Sequence, residues 1–346
     1  MGAHEHADEL TRTAAEIVAN DRGILAADES TGTIKKRFDS IEVASTEENR
    51  RAYRDLLFTT SGLGEFVSGV ILYDETIRQS SADGTPFPQL LTQHGMIPGI
   101  KVDTGAKPLA FASDETVTEG LDGLRERLEE YRELGARFTK WRAVITIGGG
   151  IPTDYCLRVN AHALGRYAAL SQEAGLVPIV EPEVLMDADN TIERCYDVTK
   201  EMLHLVFREL HEQSILLEGM LLKPNMVISG KGCPEQADAA RVAELTLKCF
   251  HQTVPSAVPG IVFLSGGQTD QQASENLNAI NAHGEQPWKL SYSYGRALQA
   301  PALKAWAGEP GNVELGQQML LHRARLNSAA AGGNYSIEME ELARAT

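Results

Sequence analysis

Gly219-Met220-Leu221-Leu222-Lys223-Pro224-Asn225-Met226 is the stretch on which the reading of this chain turns. Its apolar run has the length and flanks of a buried parallel strand. It stops at one lysine followed by a proline, which has no N–H with which to continue a ladder. A lysine at that place is costly to bury unless it is paired, reaches water or gives up its proton. One reading makes Lys223 a lysine snorkelling out of a strand end. The other makes it an amine set in apolar walls beside a second cation, able to attack a carbonyl and form a Schiff base.

Working outward, similar short runs recur along the chain: 24–28, 67–74, 97–103, 137–142, 177–181, 219–223, 260–265 and 290–294, eight in all. Segments with helical spacing lie between them, such as Val117, Leu121, Leu124, Leu128 and Tyr131, or Ile192, Cys195, Thr199, Met202, Val206 and Leu210. Strand then helix, eight times over, is the arithmetic of a closed parallel barrel. The expectation is an α/β fold, a single-domain (β/α)8 TIM barrel over residues 1–346. A helix at 8–20 would precede it, a helix at 312–330 would follow, and Gly332-Gly333 would open a C-terminal tail, 332–346. No linker-like stretch divides the chain.

Polar residues fall at or near the C-terminal ends of these runs: Asp28, Asp74, Asp103, Lys140, Glu181, Lys223, Ser265 and Ser293. In a parallel barrel those ends open on one face, where active sites of this architecture lie, so one pocket is expected to collect them. Three ends carry polar pairs at i and i+2: Lys101 with Asp103, Lys140 with Arg142, and Glu181 with Glu183. Period two turns both members of a pair to one side of a strand. Any one pair suits an ordinary ion-pair surface, but three on converging strands beside Lys223 point to chemistry. Lys140 would disfavour a second ammonium nearby, and Glu181 could move the protons that carbinolamine formation and dehydration require.

Ser265-Gly266-Gly267 and Ser293-Tyr294-Gly295-Arg296 follow the seventh and eighth runs. Either could be a plain glycine turn. Glycine also lets a backbone approach a ligand, exposed N–H groups and hydroxyls bind phosphate oxygens, and arginine adds a charged fork. The loops after strands seven and eight are the usual phosphate site of such a barrel. The stretch from Asp28 to Arg37 joins a strand-end carboxylate to a second anion set at Ser30, Lys36 and Arg37. Two anion sites flanking one lysine suit a bisphosphorylated substrate.

Composition narrows the partners. The chain has 346 residues, 42% of them hydrophobic, and 48 acidic against 32 basic side chains give a net charge of −16. That balance argues against nucleic acid or an anionic membrane as the main partner. Four scattered cysteines without a Cys-x-x-Cys pair read as free thiols of a reducing compartment. Neither a signal core nor a membrane-length apolar run is present, and a cytoplasmic location is expected. The nine histidines form no His-Glu-x-x-His, and the His-x-His at His4 and His6 lies in the N-terminal stretch, so neither a metal nor another cofactor is expected.

Over nearly its full length the chain resembles the class I fructose-bisphosphate aldolase family. The matching segments are 23–32 (GILAADESTG), 221–226 (LLKPNM), 263–268 (FLSGGQ) and 294–299 (YGRALQ), in the family's order. The resemblance implies reversible cleavage of fructose 1,6-bisphosphate to dihydroxyacetone phosphate and glyceraldehyde 3-phosphate, through an imine and without metal. By position it makes Lys223 the nucleophile, Glu181 the acid/base of imine formation and Asp28 the base at the C4 hydroxyl, supported by Glu183 and Lys140. Ser265, Gly266, Gly295 and Arg296 would hold the C1 phosphate. Ser30, Thr33, Lys36, Arg37, Lys101 and Arg142 would surround the C6 phosphate end. Phosphorylated sugars are the implied partners, and a homo-oligomer is implied, a tetramer ahead of a dimer. Thr33 and Thr104 stand where serine and lysine are expected, and the last tyrosine is Tyr335 rather than a terminal one. A transaldolase-like enzyme sharing the lysine, and an inactive scaffold barrel, are the rival readings. The two-ended phosphate set and the intact charged quartet weigh against them.

Overall fold

The computed structural model describes residues 5–344. Its strands are β1 Gly23–Ala26, β2 Val67–Leu72, β3 Ile97–Lys101, β4 Gly105–Pro108, β5 Thr116–Glu119, β6 Phe138–Ile145, β7 Val177–Val184, β8 Leu221–Leu222, β9 Gly260–Phe263 and β10 Lys289–Tyr294. Eight of them close into a barrel in the order β1-β10-β9-β8-β7-β6-β3-β2. Every barrel pairing is parallel. Because side chains alternate along a strand, each barrel strand feeds two cores. Ile24, Ala26, Ile71, Phe138, Val177, Ile179, Leu221 and Val262 face inward and pack together. Leu25, Val70, Leu72, Trp141, Val180, Leu222, Phe263 and Tyr292 face outward into a larger core under the helices. Phe138 fills the barrel only because β3 offers Gly99 opposite it, where any Cβ would overlap its ring.

The expected first helix runs over Ala7–Ile17, and its buried Leu10, Ala14 and Ile17 join the inner core. It stoppers the barrel at the strands' N-terminal ends: a Cβ on Gly219, just before β8, would come within 2.8 Å of Leu10 Cβ. Around the barrel, the helices Asp154–Glu173, Ile192–Glu212, Ala239–Thr253 and Asp270–Asn281 each start with a side-chain cap, from Thr153, Thr191, Asp238 and Thr269. The helix expected at 312–330 spans Val313–Ala331. Beyond it the chain stays packed: Tyr335 is buried and its hydroxyl donates to Glu340 at 2.9 Å, while Glu340 pairs with buried Arg323 at 2.6 Å. Ala345 and Thr346, the end of the expected tail, lie outside the described residues.

Two elements differ from expectation. Val117 and Leu121 do not begin a helix; β4 and β5 form an antiparallel hairpin between β3 and β6, and the helix starts at Leu124. Gly120 and Gly123, both at positive φ, break the helical spacing that the apolar residues alone suggest. The run at 219–223 is a strand only over Leu221–Leu222, preceded by a short 3-10 turn over Leu217–Gly219.

Candidate active site

Inward-facing positions keep one parity up the strands and, at Asp28, Asp103 and Lys223, just past their ends, and this is what assembles the site. Ile24 and Ala26 lead to Asp28, Ile97 and Gly99 to Lys101 and Asp103, Phe138 to Lys140 and Arg142. Val177 and Ile179 lead to Glu181 and Glu183, Leu221 to Lys223, and Ser291 to Ser293. All of these end residues line one cavity of about 340 Å³ at the C-terminal mouth of the barrel. Asp74 does not. It has the parity of Val70 and Leu72, which face outward, and it opens the short helix Asp74–Ile77. Its carboxylate is half exposed, pairs with Arg78 at 2.9 Å and accepts from Tyr131 at 3.0 Å.

At the floor of the cavity sit two ammonium and two carboxylate groups. Lys223 Nζ lies 3.2 Å from Glu181 Oε1, and the lysine is only 4% exposed. Lys140 Nζ reaches the other oxygen of Glu181 at 3.3 Å and Asp28 Oδ2 at 2.6 Å. The four formal charges cancel. Burial pushes the Asp28 carboxyl up, but Lys140 and then Lys223 outweigh it and hold the group well below the usual carboxylate range. Glu181 is lowered in the same way, burial opposing and Lys140 and Lys223 prevailing. For Lys140, burial favours the neutral amine, yet Asp28 and Glu181 raise its affinity for the proton above the usual lysine range. The second cation expected beside Lys223 is therefore present, but Glu181 stands between the two ammonium groups.

Local backbone explains why the lysine points where it does. Lys223 N–H donates to Val180 O at 2.8 Å, the last ladder bond on this edge before Pro224. The ladder is then replaced by a side chain: Asn225 Oδ1 accepts from Val184 N–H at 3.0 Å, and its Nδ2 donates to Thr199 Oγ1 at 3.1 Å. This anchors Lys223 against β7, which carries Glu181 and Glu183. Glu183 is ion-paired with Arg142.

Both sets of residues expected to bind anions reach the cavity, Lys36 excepted. Ser265, Gly266, Gly295 and Arg296 line its wall, as do Ser30, Thr33, Arg37, Lys101 and Arg142. The helix Arg296–Trp306 begins here at Gly295 with no side-chain cap, which leaves its first N–H groups for an anion. A Cβ on Gly266 would come within 2.7 Å of Glu183 Oε1, so this close approach requires glycine. Lys36 is the exception. It is exposed on the helix Thr31–Asp39 and does not line the cavity, because it is Arg37, one position on, that the helical turn directs inward.

Among the polar residues lining the cavity, Glu29, Asp103 and Ser293 are not among the residues to which the family resemblance gives a role. Asp103 and Ser293 follow the inward parity of their strands, a signal already in the sequence. Asp103 pairs with Lys101 at 3.4 Å and accepts from Arg142 N–H at 3.2 Å. Ser293 Oγ is buried at the cavity without a hydrogen-bond partner among the described residues. Glu29 gives no such signal, since its partners Arg54 and Gln299 stand 25 and 270 positions away.

Comparison with known proteins agrees with this geometry. The family model for fructose-bisphosphate aldolase class-I matches residues 9–346. A protein of Xanthomonas campestris pv. campestris named "Probable fructose-bisphosphate aldolase class 1" is 57% identical over 329 residues, covering 95% of this chain and 98% of its own. The fructose-bisphosphate aldolase 1 of Toxoplasma gondii is 53% identical over 335 residues, covering 96% of this chain and 92% of its own. A solved structure of fructose-bisphosphate aldolase from Plasmodium falciparum, in complex with TRAP and a small molecule inhibitor, superposes with a TM-score of 0.95 at 51% identity, covering 96% of each chain. With a closed parallel barrel, a buried lysine at the end of its sixth barrel strand and these matches over nearly its whole length, the chain belongs to the class I fructose-bisphosphate aldolase family.

Proposed function

We propose that this chain reversibly cleaves fructose 1,6-bisphosphate to dihydroxyacetone phosphate and glyceraldehyde 3-phosphate through an imine on Lys223, the aldol step of glycolysis and, in reverse, of gluconeogenesis. The observation that carries this reading is the buried contact of Lys223 Nζ with Glu181 Oε1 at 3.2 Å, with Lys140 bridging Glu181 to Asp28. A proton passing from Lys223 to Glu181 leaves a neutral amine beside a neutral acid. The amine attacks the ketone carbon C2, and the proton returned to the carbinolamine oxygen lets it depart as water, leaving a protonated imine.

Asp28 then takes the proton of the C4 hydroxyl. The C3–C4 bond breaks, C4 becomes the aldehyde, and the electron pair of the bond enters the imine as an enamine. Lys140 balances the negative charge that develops on the C4 oxygen. Protonation at C3 and hydrolysis of the imine free the second product and restore Lys223. Lys140 keeps Asp28 ionised and therefore a weak base; the imine, by accepting the electrons, reduces what is asked of it. Glu183 and Arg142 hold each other at the cavity wall and support this charge placement. Ser265, Gly266, Gly295 and Arg296 take the C1 phosphate, and Ser30, Thr33, Arg37, Lys101 and Arg142 the other end, with Lys36 adding positive potential from outside.

Borohydride added with dihydroxyacetone phosphate should inactivate the enzyme, and mass mapping should place the adduct on Lys223. Prolonged EDTA treatment should leave activity intact, because the imine is the electron sink. An adduct on another lysine would overturn the assignment. We further infer a cytoplasmic homo-oligomer, a tetramer ahead of a dimer. The family resemblance supports the oligomer, and the four free, buried cysteines support a reducing compartment. Sedimentation giving a monomer would exclude the oligomer.

A further inference from the structure

Glu29 takes no part in the chemistry above, yet both of its oxygens are committed. Oε2 accepts from Arg54 Nη2 at 2.6 Å, while Oε1 accepts from Gln299 Nε2 at 2.9 Å and is ion-paired with Arg37 Nη1. Two of these partners are buried. Arg54 is 3% exposed, inside the packing of the helix Glu47–Phe58. Gln299 is fully buried, donates also to Ala26 O at 2.7 Å and accepts from the Tyr53 hydroxyl at 3.2 Å. Arg37 alone of the partners lines the cavity.

The charges are unequal. One carboxylate faces two guanidinium groups, so one positive charge is left over, and it lies on the partner open to the cavity. Burial opposes ionisation of Glu29, but Arg37 and then Arg54 overcome it and keep the carboxyl below its usual range. Arg37 also points at the opening of the uncapped helix: its Nη2 lies 3.4 Å from where a Cβ on Gly295 would stand. An arginine on a helix surface has many rotamers, and a fork aimed at a phosphate works only in one of them.

We propose that Glu29 is the positioning residue for Arg37. It clamps the guanidinium to a buried frame built from Arg54 and Gln299, and so presents a preformed, uncompensated cation to a phosphate of the substrate. The inference rests on the reading that this cavity holds a phosphorylated sugar. A carboxylate that merely neutralised Arg54 would be a fold element with no selective effect on substrate affinity.

The test is a cycle of Glu29→Gln, Arg37→Ala and the double variant, assayed with fructose 1,6-bisphosphate. Each is also assayed for borohydride trapping of unphosphorylated dihydroxyacetone on Lys223. Glu29→Gln should raise KM about tenfold, the loss of one charge-assisted contact, with kcat changed less than about threefold and trapping of dihydroxyacetone unaltered. In the Arg37→Ala background it should add nothing further to KM. If its full effect persists there, or if trapping of dihydroxyacetone falls with it, Glu29 is structural and the proposal fails. Arg37→Ala with an unchanged KM would remove the phosphate contact itself, and wild-type enzyme that is not trapped on Lys223 would remove the underlying reaction. Should Glu29→Gln not fold, combining it with Arg54→Met removes one anion and one cation together, and the same KM increase is expected.

Discussion

Lys140 is the residue whose removal separates charge balance from nucleophilicity. It touches both Asp28 and Glu181 and is only 4% exposed. Replacing it by methionine keeps the stem and deletes the ammonium, leaving Lys223 to answer two carboxylates. We expect kcat to fall by about three orders of magnitude, as for loss of a preorganised charge at a developing anion, while borohydride trapping on Lys223 persists. The pH dependence follows from the same contacts. Asp28 and Glu181 have folded values below their ordinary 3.8 and 4.5, so their contribution to stability is present above those values and is lost as pH falls through the folded ones. Lys140 is raised above its ordinary 10.5, so its contribution is complete below that value and is lost only as pH rises through the folded one. In the methionine variant, burial acts on Asp28 without its main opponent, and the carboxyl takes up a proton more readily folded than unfolded. The stability gap to wild type should therefore narrow as pH is lowered from about 7 to about 5. Urea denaturation across that range measures it, and a constant gap would contradict the account.

Among the elements, β8 places Lys223 with a strand of only two residues. Two residues of ladder give way to Pro224, and the Asn225 side chain completes the connection to β7 through Val184 N–H. Asn225→Ala would strand that buried N–H and the Thr199 hydroxyl contact, costing about 1–3 kcal/mol. Because Val184 follows Glu183, kcat should fall as well, whereas a purely local defect would lower stability alone; urea melts and steady-state rates on the same preparation distinguish the two. The Leu-Leu-Lys-Pro run was legible as a strand end because apolar length and proline are local signals. What Asn225 does was not, since a side chain replacing a ladder bond leaves no periodicity. Parity accounts for the rest of the difference. Lys101, Lys140, Glu181 and Lys223 continue inward-facing rows, while Asp74 continues an outward one, so grouping strand ends without their phase placed one carboxylate on the wrong side of the barrel wall. The β4–β5 hairpin was missed for a related reason: Val117, Leu121 and Leu124 keep helical spacing across Gly120 and Gly123, whose positive φ no helix accommodates.

At the scale of the whole molecule the barrel interior is polarised along its axis. Its lower half is apolar and closed by Leu10, Ala14 and Ile17 of the first helix, and its upper end carries the four cancelling charges. The stopper's side chains are buried in the inner core, at the end of the strands away from the quartet. The two ends should then be separable by mutation. Leu10→Ala removes a side chain that is 1% exposed, and the cavity it leaves should cost about 2–5 kcal/mol. Borohydride trapping counts the competent lysines, so kcat can be expressed per folded site. On that basis the variant should match wild type in kcat and KM at low temperature, its urea midpoint alone being lowered. A loss of kcat per trapped site would mean instead that the stopper holds the charged end in register through the strands, because defects more than about 10 Å from a site ordinarily add without coupling.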